Sequence, residues 1–142
     1  MLSINPYLNF TDQCEEAFNF YHSVFGGDAP EFSRFGEAPS QGEGDHQMPE
    51  SEANKIMHAS LAIGDGHTLM GSDRPESMGP TTFGNNAHIS VQTKDKDEAT
   101  RVFNGLAEGG NVTMPLADMF WGATFGMVVD KFGVQWMVNS EH

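Results

Sequence analysis

Two stretches of this chain carry the same order of structural signals, and that repetition limits the folds open to it more than any other feature. In the first, Asp12-x-x-Glu15 has the form of a capping box. Cys14, Ala17, Phe18, Tyr21, Val24 and Phe25 then recur at helical spacing as one apolar stripe. Gly26-Gly27 stops that helix, because glycine takes a left-handed cap without a Cβ penalty. In the second, Asp95-x-x-Glu98 opens a stripe of Ala99, Val102, Phe103, Leu106 and Ala107, and Gly109-Gly110 closes it. A strand precedes each helix, Ile4 to Phe10 and Ala87 to Thr93. Three more follow each. In the first copy they are residues 31–35, Ile56 to Ile63 and His67 to Ser72, with a hairpin at Gly64-Asp65-Gly66. In the second they are Asn111 to Met114, Ala123 to Val129 and Val134 to Asn139, with a hairpin at Asp130-Lys131-Phe132-Gly133.

The pattern predicts an α+β fold of two tandem βαβββ modules within one domain, residues 1–142. The first module covers 1–73 and the second 87–142. Residues 36–54 interrupt the first copy alone. They hold five acidic residues, no basic ones and no periodicity, so they read as a long solvated loop, either a lid or a surface insertion. Each sheet is expected to pack one face on its helix and leave the other open. Two open faces enclosing a cleft would make a ligand site, since sites favour the junctions of structural units.

Charge narrows the function. Seven Lys and Arg stand against 20 Asp and Glu, a formal net charge of −13. That balance opposes nucleic acid, whose binding rests on clustered cations, and opposes an anionic membrane surface. The single cysteine, Cys14, excludes an intrachain disulfide framework and a cysteine-rich zinc site. No apolar run approaches the roughly 20 residues that span a bilayer. The first residues show no basic segment leading into an apolar one, so a cytoplasmic protein is expected.

The wording of the chain carries a resemblance. "NPYLNF", "FYHSVFGG", "KIMHASLAIGD", "LMGSD", "LAEGGNVTMPL" and "FWGATFGMVVDKFGVQWMVN", set in a doubled βαβββ order, resemble the vicinal oxygen chelate superfamily of glyoxalase I, bleomycin-resistance proteins and extradiol dioxygenases. Within it they look like the PhnB-like branch, which also bears a 3-demethylubiquinone methyltransferase domain label. The resemblance covers nearly the whole chain apart from the acidic loop. It implies a homodimer. It also implies that metal-using members draw four ligands, His or Glu, from positions matching Asn5, Met70, His88 and Met137. One amide, two thioethers and one imidazole offer no anionic ligand to a divalent ion, so no metal is expected. No cofactor is expected either. A methyl donor usually calls for a glycine-rich turn between a parallel strand and a helix, and no G-x-G-x-x-G exists here.

The candidate site residues follow from strand alternation. Asn5, Tyr7 and Asn9 share the cavity face of the first strand, where the tyrosine can donate a hydrogen bond to a ligand. His58 and Ser60 oppose Met57, Ala59, Leu61 and Ile63. Met70 and Ser72 lie on the last strand of the first module. His88, with Ser90 and Gln92, forms the polar set of the second module's first strand, and is either a metal ligand or base or a hydrogen-bonded structural histidine. Trp121 is either a pocket wall or a core or dimer aromatic. Met57, Met70, Met127 and Met137 offer an adaptable lining or plain core. Trp136 should pack on the second helix. Cys14 should be a buried, inert thiol. Asp73 and Asp118 are either bases or turn and cap residues. The expected ligand-binding set is therefore Asn5, Tyr7, Asn9, His58, Met70, Ser72, His88, Trp121 and Met137, and His88 is the candidate catalytic residue. The reading is a protein that binds a small organic molecule. The alternative is a metal-dependent lyase, isomerase or dioxygenase using His88.

Overall fold

The computed structural model describes residues 2–37 and 52–141. Most of the acidic loop, 38–51, lies outside the described residues. The chain forms two compact units, Met1–His22 with Gly26–Thr81, and Ser23–Phe25 with Thr82–His142.

The first unit runs β1 (Tyr7–Phe10), α1 (Cys14–Phe25), β2 (Glu31–Arg34), β3 (Ile56–Ile63) and β4 (His67–Asp73). Its sheet has the order β1-β4-β3-β2, with β1 parallel to β4 and the other pairs antiparallel. Alternation along β4 decides the faces. Leu69, Gly71 and Asp73 are buried, while Thr68, Met70 and Ser72 are half-buried. The buried set meets Ala59 and Leu61 of β3 in register and joins Phe10, Phe18 and Tyr21 in the core. Phe18 stands edge-on to Phe10 at 6.4 Å and to Tyr21 at 5.8 Å between ring centroids. Burying one such ring stabilises the fold by about 1.5–3 kcal/mol.

The second unit repeats the plan with β5 (Ile89–Gln92), α2 (Lys96–Ala107), β6 (Asn111–Met119), β7 (Ala123–Val129) and β8 (Gln135–Glu141). Its order is β5-β8-β7-β6, again with the first strand parallel to the last. Two βαβββ units of identical topology are what the duplicated sequence predicts. Asp95 caps α2 by accepting from the Glu98 N–H at 2.8 Å, and the Glu98 carboxylate accepts from the Lys94 N–H at 3.1 Å. Trp136 is buried, as its place on β8 predicts, and its ring lies 5.5 Å from that of Phe25.

Four local readings change. Asp12 does not cap α1, whose N-cap position is Gln13 without a side-chain bond. Asp12 turns out at φ 64° and pairs with Lys55, and the Cys14 N–H bonds instead to Asp73, at 2.9 Å. The first strand starts at Tyr7, because nothing packs on Ile4, which is 98% exposed. The last strands' partner β6 extends to Met119, past Pro115, by absorbing bulges on an edge strand where proline's missing N–H costs no ladder bond. Met57 leaves the apolar face of β3. Ser33 pairs with His58 and Arg34 with Ile56, so Met57 is the extra residue of a bulge, and Ile56 takes the core position.

Candidate functional site

Cross-strand partners point to the same side of a sheet, so the ladders fix which side chains share the helix-free faces. In the first unit one row is Tyr7, Met70, Ser60 and Glu31, taken across β1, β4, β3 and β2. Beside it Asn9 pairs with Ser72, and His58 with Ser33. Five of the expected residues, Tyr7, Asn9, His58, Met70 and Ser72, therefore occupy one face. Tyr7 and His58 meet across the central strand, with ring centroids 5.9 Å apart and planes tilted by 37°. Strands one apart sit about 4.8 Å away and these two are separated by β4, so both rings lean inward over it. Ser72, small and directly beside Met70 in that strand's outward set, leaves room for them. Asn5 lies before β1, half-buried, with its amide 3.5 Å from the Ser3 hydroxyl.

The second unit's helix-free face is a three-row lattice. One row is Ala117, Phe125, Asn139 and Gln92. The next is Met114, Met127, Met137 and Ser90. The third begins Asn111, Val129 and Gln135. The Asn139 amide donates to the Gln92 carbonyl at 2.9 Å, which fixes the two amides beside the thioethers. Trp121, in the turn between β6 and β7, stands 6.3 Å from Phe125 and continues the lattice outward, and Phe120 follows at 5.1 Å from Trp121. Met137 is thus central to its face. His88 directly precedes β5 and is exposed. Its strand is shorter than the sequence pattern predicts, starting at Ile89.

The remaining chemical candidates have structural roles. Cys14 is fully buried, and burial is the main cause that pushes its thiol pKa up, with the negative charges of Asp73 and Glu15 adding to it. Asp73 accepts from the Cys14 and Ile56 N–H groups, both at 2.9 Å. Asp118 accepts from the Thr124 hydroxyl at 2.7 Å and pairs with Lys96 at 3.0 Å. Asp118, Lys96 and Thr124 line an open groove of about 370 Å³ between α2 and β6, with Phe103 and Leu116 as its apolar wall.

Asn5 and Met70 lie in the first unit and His88 and Met137 in the second, and together they offer one amide, two thioethers and one imidazole but no carboxylate, whereas hard and borderline divalent ions bind carboxylate and imidazole. Among the described residues no three His, Cys, Asp or Glu side chains are grouped to hold a metal ion. No helix there is long and apolar enough to cross a membrane.

Sequence reasoning missed Met114 and Phe125 as members of the second face. Phe125 was findable, since counting back from the Asp130–Gly133 turn sets it opposite Asn139. Met114 was not, because two register shifts in β6 separate it from any count.

Comparison with known proteins adds to this geometry. The model of the glyoxalase/bleomycin resistance protein/dioxygenase superfamily matches residues 3–138. The crystal structure of protein PA1353 from Pseudomonas aeruginosa is 44% identical, covers 99% of this chain and 98% of its own, and superposes with a TM-score of 0.83. A Bacillus cereus structure named as a 3-demethylubiquinone-9 3-methyltransferase, PhnB protein, is 28% identical with a TM-score of 0.73, over 98% of this chain and 99% of that one. Protein YjdN of Escherichia coli strain K12 is 28% identical over 97% of this chain and 95% of its own length.

Proposed function

The chain belongs to the glyoxalase/bleomycin resistance protein/dioxygenase superfamily, and from that premise we propose that it binds a small, partly apolar organic molecule, without a divalent metal, at the helix-free faces of its sheets. The observation that carries the reading is the Tyr7–His58 pair leaning over Met70 and Ser72. Two aromatic rings with hydrogen-bonding edges, set beside a thioether, suit a ligand with an apolar body and a few polar atoms. The second unit offers the same mixture in Met137, Met127, Phe125 and the Asn139–Gln92 amides. A homodimer in the cytoplasm belongs to the same proposal, and light scattering of the purified protein checks the dimer.

Methyl transfer does not carry over from the name of the Bacillus cereus relative. The two turns from a parallel strand into a helix are Thr11-Asp12-Gln13 and Thr93-Lys94-Asp95, and neither contains a glycine to admit a nucleotide-like cofactor.

The test is a thermal-shift and equilibrium-dialysis screen of broad metabolite and drug libraries against the purified protein. We expect a ligand whose affinity falls in Tyr7→Phe and His58→Ala and holds in Glu108→Gln, a surface control. A screen without a ligand, or a ligand indifferent to Tyr7 and His58, overturns the reading.

A further inference from the structure

The geometry points to a monovalent soft-metal site, for Cu(I), built by Met114, Met127 and Met137 on the helix-free face of the second sheet. Met127 of β7 pairs with Met114 of β6 on one side and with Met137 of β8 on the other. Three thioethers therefore stand side by side across three strands, and all three are half-buried. Neighbouring Cβ atoms in such a row lie about 4.5–5.5 Å apart, and methionine's flexible stem lets the outer sulfurs lean toward the central one.

A bulge completes the row. The ladder pairs Val112 with Val128 and then Met114 with Met127, so β6 takes one extra residue between those pairs. In an unbroken ladder Thr113, a hydroxyl, would oppose Met127. The bulge replaces it with a third sulfur, and re-aiming a side chain is a recurrent use of bulges beside functional sites.

Donor chemistry selects the ion. Thioethers are soft and uncharged, so they reject the hard and borderline divalent ions and accept Cu(I). The copper enters as Cu(I) and forms three dative bonds from sulfur, with no change of oxidation state and no proton released. The chain's charge of −13 favours the approach of a cation. The inference is independent of organic-ligand binding, which is measured on metal-free protein.

The experiment is anaerobic titration of the full chain with Cu(I) against a chromophoric Cu(I) chelator, followed by X-ray absorption at the copper edge. We expect one copper held per chain with sulfur scatterers alone in its shell. Even the loss of a supporting partner of a metal ligand costs about tenfold in affinity or more, so Met127→Leu and Met137→Leu, which keep side-chain volume, should each cost at least about tenfold. Met78→Leu, an exposed methionine of the other unit, should change nothing. No copper retained, nitrogen or oxygen donors in its shell, or equal affinity in Met127→Leu overturns the assignment. Circular dichroism of each variant separates loss of the site from loss of the fold.

Discussion

Trp136 donates its indole N–H to Asp130 across 2.8 Å, with both residues buried. The other oxygen of the same carboxylate accepts from the Phe132 N–H at 2.8 Å and the Val134 N–H at 3.1 Å. One side chain thus satisfies the turn between β7 and β8 and ties it to the ring beneath. Asp130→Ala strands three buried donors, and the expected loss is about 3 kcal/mol or more. Trp136→Phe removes one donor and leaves the turn's own bonds, so it should cost less in bonding although it also trims the core. Urea unfolding monitored by circular dichroism gives both values. An Asp130→Ala variant as stable as the wild type would show that the turn holds without its carboxylate.

The two helices start by different devices, and the difference is measurable. In α2 the cap is local, Asp95 to the Glu98 N–H. In α1 it comes from β4, where Asp73 bonds the N–H groups of Cys14 and Ile56. Asp73→Ala should therefore cost about 2 kcal/mol, since it removes a cap and leaves a second buried N–H unpaired. Asp12→Ala should cost well under half of that, because Asp12 is exposed and its ion pair with Lys55 lies at the surface. Equal losses in the two variants would restore Asp12 as the cap.

Two glycines let the helices lie close to their sheets. A Cβ on Gly71 would stand 2.7 Å from the Phe18 ring and 2.8 Å from the Leu8 carbonyl oxygen. One on Gly126 would stand 2.8 Å from Phe103 and 2.9 Å from the Leu116 Cα. Each clash includes backbone, which no rotamer change relieves. Gly71→Ala and Gly126→Ala should each destabilise their unit by about 1–3 kcal/mol. Gly64→Ala, where nothing lies within 4 Å of the added carbon, tests conformation alone, because its φ of 59° is costly for any residue with a Cβ. Thermal unfolding of the three variants separates overpacking from backbone strain.

The duplicated plan was legible because its signals are local. The stripe from Cys14 to Phe25 and its Gly-Gly stop are written in consecutive turns, and the α2 capping box needs only four residues. The outward set of β4, Met70 and Ser72, follows from a two-residue period that the ladder keeps. What stayed hidden depends on residues far apart. Asp12 and Asp73 are equally good caps on paper, and only the pairing of β1 with β4 brings Asp73 to the helix start. Bulges hide just as well, since each shifts every later residue by one. Met57 lost its expected face that way, and Met114 gained one.

Cys14 yields a prediction in pH. Its thiol is fully buried beside Asp73, and burial raises its pKa far above the ordinary value. Below the unfolded chain's value, roughly 8.5, both states hold the proton and the thiol contributes no pH dependence. Above it the unfolded chain loses the proton while the native one keeps it. The native state then binds more protons, so stability falls as pH rises, by up to about 1.4 kcal/mol per pH unit from this group. Cys14→Ala removes that term at the cost of a small cavity. The stability gap between wild type and Cys14→Ala should therefore be constant between pH 7 and 8 and shrink from pH 9 to 10 (urea unfolding at each pH gives it). In native buffer at pH 8 a thiol reagent should modify Cys14 only at the rate at which the chain opens, and immediately in urea. Rapid modification of the native protein, or a gap that does not narrow in alkali, would mean that the thiolate is reached by solvent and that α1 does not seal it.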